Sequence, residues 1–158
     1  MSNTQSMCTS FLGELMTATH NFGTSPIRAA STADTFKAAL YVTTATVNAA
    51  TTAYSATNEV SGTGYTAGGV TVTNANAPAS TNTSATAGVG YWTPSASITY
   101  TTVTLSTAFD CVLIYNSTQS NKAVSVHTFG SQTITAGTFT LTMPSNTTST
   151  ALLRLATT

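Results

Sequence analysis

From residue 34 onward the chain repeats short segments in which apolar and polar side chains alternate, and that pattern leaves few architectures open. In Thr35–Thr43 (TFKAALYVT), Phe36, Ala38, Leu40 and Val42 alternate with Lys37, Ala39 and Tyr41, the period of two that a strand requires. Val70–Asn74, Ala123–Phe129 and Thr138–Met143 read the same way, and Ala151–Leu155 is expected as a terminal strand. Phe109–Tyr115 (FDCVLIY) is the most continuous apolar run, as expected of a central strand buried on both faces. In Ile98–Leu105, Ile98 and Tyr100 share one parity and Val103 and Leu105 the other, a phase slip that predicts a β-bulge or kink. Asn74–Thr86 has turn composition and suits a loop or a weak edge strand, and Asn116–Asn121 a turn. Thr44–Tyr54 reads equally as a short helix or a loop.

About seven or eight short strands, punctuated by turns, predict a mainly β, antiparallel sandwich or jelly-roll-like fold. The length of 158 residues suits one domain, with residues 34–158 as the sandwich and residues 1–33 as an N-terminal arm and short helix. That helix is expected over Phe11–His20, capped by Ser10, with Phe11, Leu12, Leu15 and Met16 on one face and Gly23 and Pro26 closing it. Phe11 and Leu15 are its candidate contacts with the sheet or a neighbouring subunit.

Composition narrows the function. Only 5% of residues are charged, against roughly 25% in ordinary soluble proteins. Four basic residues, Arg28, Lys37, Lys122 and Arg154, are too few to neutralise a run of phosphates, so no nucleic-acid partner is expected. No apolar run approaches the ~20 residues of a membrane-spanning helix, and the N-terminus lacks the pattern of a signal peptide. Cys8 and Cys111 are expected as free, packed thiols. Net charge is zero and Ser plus Thr make up about a third of the chain, a surface suited to packing within an assembly.

Reactive chemistry finds little material. Glu14, Asp34, Glu59, Asp110, His20 and His127 stand at no metal-ligand spacing, and no G-x-S-x-G elbow is present, so neither metal nor cofactor nor catalysis is expected. His127 is expected to be exposed or at an interface. Tyr91, Trp92 and Tyr100 are expected to pack in the core or an interface, with a sugar-stacking platform as the alternative.

The most specific string is Asn58–Gly69, NEVSGTGYTAGG, with four of the ten glycines. Gly62–Ala67 matches G-x-G-x-x-A formally, but a β-type run follows where a dinucleotide site needs a helix, and no acid lies between Glu59 and Asp110. The stretch is expected to be a constrained turn in which Gly62, Gly64, Gly68 and Gly69 let the backbone pass close to a strand and Tyr65 anchors it. Asn58 is expected to tie the turn through its side chain, and Glu59 to be solvated or paired with Arg28, Lys37, Arg154 or a partner's base.

This loop, preceded by DTFKAALY and followed by VTVTN, LIYNSTQSNKAVSVHTFG, TAGTFTLTMP and ALLRLA, resembles a family of small tailed-bacteriophage virion proteins with a NEVxGxGYxxGG loop. The likeness runs in order over residues 34–156, and residues 76–97 depart from it by being more polar. It implies a structural component of the virion and not an enzyme, made in the host cytoplasm. Within that class it implies first a capsid decoration (cement) protein, a small β-sandwich bound to the major capsid protein on the head surface as a dimer or trimer. A tail-associated subunit (tube, adaptor or fibre base) is the second implication; a carbohydrate-binding β-sandwich for host adhesion is the reading that the three aromatics suggest.

Overall fold

The computed structural model describes residues 3–8, 11, 14–15, 18–22, 33–81 and 88–156. Its described strands form two antiparallel sheets. The larger has the order β1 (Ser6–Met7), β7 (Lys122–Leu141), β6 (Ile98–Asn116), β2 (Phe36–Val42), β3 (Val70–Thr71). The smaller has the order β4 (Ala79–Ser80), β5 (Val89–Trp92), β8 (Leu153–Ala156). The fold is therefore mainly β and antiparallel, as the alternation predicts.

Two expectations need correction. The strands are not uniformly short: Ile98–Leu105 and Phe109–Tyr115 are halves of one 19-residue strand, and Ala123–Phe129 and Thr138–Leu141 belong to one 20-residue partner. The parity slips that look like ends of strands are bulges within a continuous ladder. Thr102 takes a left-handed φ of 53° where the pairing shifts between Tyr100 and Val103. The slip brings Val103 and Leu105 to the buried side that Ile98 and Tyr100 occupy, and all four are almost fully buried. The second correction concerns the N-terminal helix. No helix stands among the elements with described bounds; within the one expected over Phe11–His20, Phe11, Glu14 and Leu15 are helical, and residues 12, 13, 16 and 17 lie outside the described residues. A turn follows, in which the N–H groups of Ala18 and Thr19 donate to the carbonyls of Leu15 and Glu14.

β6 is the middle strand of the larger sheet and is buried on both faces from Cys111 to Asn116, as expected of the FDCVLIY run. Its hairpin with β7 curves at the bulges, so that Ile98 lines a small cavity with Val112 and Ile114 from the other half of the same strand. Phe109 sits at the bend, edge-on to Phe129 and Phe139 at 5.9 and 5.2 Å between ring centroids. A second aromatic group joins the sheets: Phe22 stacks on Phe36 at 4.4 Å and meets Trp92 of β5 at 4.7 Å.

Phe109 is fully buried where the hairpin turns over. Phe109→Ala is expected to cost about 3–5 kcal/mol, read as a lowered denaturation midpoint. Thr133→Ala, at an exposed position of the same hairpin, should leave the midpoint nearly unchanged.

Candidate functional site

The outer edge of β2 is covered by two pieces of one excursion. Asn58–Val60 runs antiparallel to its C-terminal end: Val42 N–H donates to the Asn58 carbonyl and Val60 N–H to the Leu40 carbonyl, both at 3.0 Å. The chain then crosses to β6, where Thr104 N–H donates to the Thr63 carbonyl at 2.9 Å. It returns to the β2 edge as β3, paired with Lys37 and Ala38. The loop thus leaves and rejoins one strand, and its glycines mark the points of closest approach. A side chain at Gly69 would collide with the Ala38 carbonyl, and Gly69 has φ 70°. At Gly64 it would collide with the Thr102 carbonyl, at φ 79°. Gly62 is closed against the Thr104 carbonyl, and Gly68 lies beneath the Tyr115 hydroxyl. The constrained turn expected from the glycines is what the structure shows.

Glu59 holds this loop from inside. Its carboxylate accepts from the Tyr54 hydroxyl (2.6 Å), the Tyr65 hydroxyl (2.7 Å) and the Gly68 N–H (2.8 Å). The Tyr65 oxygen in turn accepts the Leu40 N–H at 3.0 Å. Tyr115 donates to the Gly68 carbonyl at 2.8 Å and stacks on Tyr54 at 4.7 Å. Tyr100 lies parallel to Tyr65 and donates to the Ala38 carbonyl; Tyr41 donates to the Ser55 carbonyl at 2.6 Å. Five of the six tyrosines therefore bind the loop or the strand beneath it. Burial, reinforced by the Glu59 carboxylate, raises the Tyr54 and Tyr65 hydroxyls far above the ordinary range, and Tyr115 is pushed up to about 12. All stay protonated donors.

Two expectations change here. Glu59 is half-buried and forms no ion pair among the described residues; hydroxyl and amide donors engage its carboxylate, while Arg28 lies outside the described residues. Asn58 contributes backbone geometry, a left-handed φ of 61° that asparagine tolerates, through its carbonyl bond to Val42.

The remaining candidates converge elsewhere. Phe11, Leu15 and Trp92 line one apolar cleft of about 230 Å³, together with Tyr91, Leu153 and Leu155. Trp92 is almost fully buried, its indole N–H donating to the Asn76 carbonyl at 3.0 Å. Tyr100 is buried against Tyr65, so Tyr91, Trp92 and Tyr100 do not share an exposed platform. His127 is half-buried rather than exposed, its Nε2 2.9 Å from the Ser125 hydroxyl, and burial pushes its imidazole down to about 4. Cys8 and Cys111 are free and buried, with burial raising their thiols to about 11 and about 12. These are inert packed groups. Among the described residues, no three His, Cys, Asp or Glu side chains gather as a metal site.

One polar cluster is invisible to sequence spacing. His20 and Lys122 contact the two oxygens of Glu14 at 2.7 and 2.6 Å. Asn116 donates its amide to His20 Nδ1 at 3.0 Å and to Asp34 at 2.7 Å. Gln119 and the Asn21 N–H also donate to Asp34. Because the Asn116 oxygen already accepts the N–H groups of Thr118 and Gln119, its amide cannot turn round, and Nδ1 of His20 must be an acceptor. Nε2 then carries the proton and donates to Glu14. Burial lowers the His20 pKa, outweighing the raising effects of Glu14 and Asp34. Burial also acts to raise Glu14, but its bonds to Lys122 and His20 prevail and hold it below the usual carboxylate value.

No family model matches this chain, and no curated protein or solved structure is significantly similar to it.

Tyr65→Phe removes the hydroxyl linking Leu40 to Glu59 and is expected to cost about 1–3 kcal/mol in chemical denaturation. Gly69→Val should fail to give soluble folded protein, whereas Thr66→Ser should behave as the parent does. Equal stability of the valine variant would contradict the close approach. The histidines fix a pH dependence. Both are depressed in the folded chain, so the unfolded chain takes up the protons first. Their contribution is complete above the ordinary imidazole value of 6.5 and declines as pH falls below it. Glu14, depressed from 4.5, adds a further loss at lower pH. His20→Gln should flatten the slope of stability between about pH 7 and about pH 5; an unchanged slope would contradict the lowered His20 pKa.

Proposed function

We propose that this chain is a bacteriophage virion structural protein, a capsid decoration protein that binds the outer head shell and bridges capsid subunits. The observation that carries the reading is how the string NEVSGTGYTAGG is used. Glu59, Gly62, Gly64, Tyr65, Gly68 and Gly69 all serve to clamp the loop onto β2 and β6, and none offers an exposed reactive group. A motif devoted wholly to shape supports a structural role, and the likeness of this motif to small virion proteins supports the particular one. In this reading the two sheets form a β-sandwich closed by Phe22, Phe36 and Trp92. Its partners are the major capsid protein and further copies of itself, with neither nucleic acid nor membrane involved.

Stabilisation would follow from linkage: a protein that binds the assembled shell and not the free subunits shifts the equilibrium toward the shell. Repeated sites around the head supply multivalent attachment where the protein is oligomeric. The cleft that holds Phe11, Leu15 and Trp92 offers an apolar contact for such docking.

Particles made without this chain are expected to lose resistance to heat and osmotic shock and to regain it when the purified protein is added back. A reconstruction should place many copies on the head. A few copies at the neck or tail would move the assignment to a tail-associated subunit, and heads equally robust without the chain would end the decoration reading.

A further inference from the structure

β7 presents an unusual edge. One side of this strand pairs with β6 along its length, from Lys122 opposite Asn116 to Leu141 opposite Ile98. On the other side, β1 covers only Ser125 and Val126. Beyond them, from Gly130 to Leu141, no described strand lies against it. Gly130, Ser131, Gln132, Thr133, Thr135 and Thr138 are all exposed there. A free edge offers unpaired N–H and C=O groups to any extended chain, and soluble proteins usually guard such edges with lysines, prolines or bulges. This edge carries bulges as its only guards, one at Ala136, where φ is 46°, and one between Thr128 and Gln132, where the pairing with β6 shifts. No Asp, Glu, Lys or Arg occurs between Lys122 and Arg154, and no proline between Lys122 and Pro144.

We propose that the outer edge of β7, on both sides of the Ala136 bulge, is a self-association surface that pairs antiparallel with the same edge of a second copy. The choice of a second copy follows from charge. A partner selected by electrostatic complementarity would need counter-charges on this edge, and it has none. Two identical neutral edges meet without repulsion, and a two-fold arrangement is self-complementary in its backbone hydrogen bonds. It sets threonine hydroxyls beside threonine hydroxyls, a pairing that favours strand association. A single strand-edge contact buries less than the ~1,200–2,000 Å² of a stable interface, so the dimer is weak and depends on concentration. The inference deepens the homo-oligomer part of the reading above but does not depend on the virion assignment, and it is tested without particles.

The test is light scattering or sedimentation of the full chain over a wide concentration range. The parent protein should pass from monomer to dimer, and Thr133→Lys and Thr138→Lys should each weaken association by about tenfold or more. Both positions are exposed, so thermal melts should match the parent and separate lost pairing from lost folding. Ala56→Lys, exposed in the loop before Asn58, should associate as the parent does. A parent that stays monomeric throughout, edge variants that associate like the parent, or equal loss with Ala56→Lys would overturn the proposal.

Discussion

All four acidic side chains of this protein are engaged inside the chain, and much of its course follows from that. Glu14 takes His20 and Lys122, Asp34 takes Asn21, Asn116 and Gln119, Glu59 takes Tyr54, Tyr65 and Gly68, and Asp110 takes the Asn3 amide at 2.6 Å. A partly buried carboxylate left without donors costs far more than its hydrogen bonds add when present, so each one fixes the segments that supply those donors. Glu59 determines how the loop after Tyr54 lies against β2. Glu14 and Asp34 determine where the N-terminal segment meets the turn between β6 and β7. Asp110 helps hold the N-terminal arm against the start of the β2–β6 pair.

The donors are mostly neutral hydroxyls and amides, which sets this design apart from one based on salt bridges. Asn116 shows the consequence. Its amide donates to His20 and Asp34 while its oxygen accepts from the turn that follows, so a single fully buried side chain fixes an imidazole tautomer and the turn geometry together. Such a network has little slack, since each member is satisfied only when the others hold their orientation.

What the sequence reveals and conceals follows the same division. The period-two strands were legible because burial on a sheet face imposes that period locally: Phe36–Val42 and the centre of β6 fall where alternation and apolar content place them. The close approach of the loop was legible because only glycine tolerates it, as Gly64 and Gly69 demonstrate. The length of the β6–β7 hairpin was concealed, because a bulge reverses parity and looks like the end of a strand until its partner strand is known. The donors of Glu59 are concealed because Tyr54 and Tyr65 are ordinary aromatics in sequence, and nothing local marks their hydroxyls as directed at a carboxylate. The cluster around Glu14 was beyond reach for a simpler reason: Lys122 is 108 positions away and Asn116 lies 96 from His20.

A chain that uses its acids internally has little charge left for recognition. Lys37 and Arg154 are among the few cations without an ion pair of the kind that joins Lys122 to Glu14 among the described residues. Contacts of such a surface depend on shape, on hydroxyl and backbone hydrogen bonds, and on the apolar cleft around Trp92. These are short-range interactions that salt hardly screens, whereas charge-steered association weakens steeply with ionic strength. The chain also lacks the long-range repulsion that keeps most soluble proteins apart. With repulsion absent, what limits self-association is geometry: β1 covers the start of the β7 edge, and the bulges between Thr128 and Gln132 and at Ala136 interrupt the rest. The same economy of charge leaves neighbours to be selected by fit at close range and not by charge.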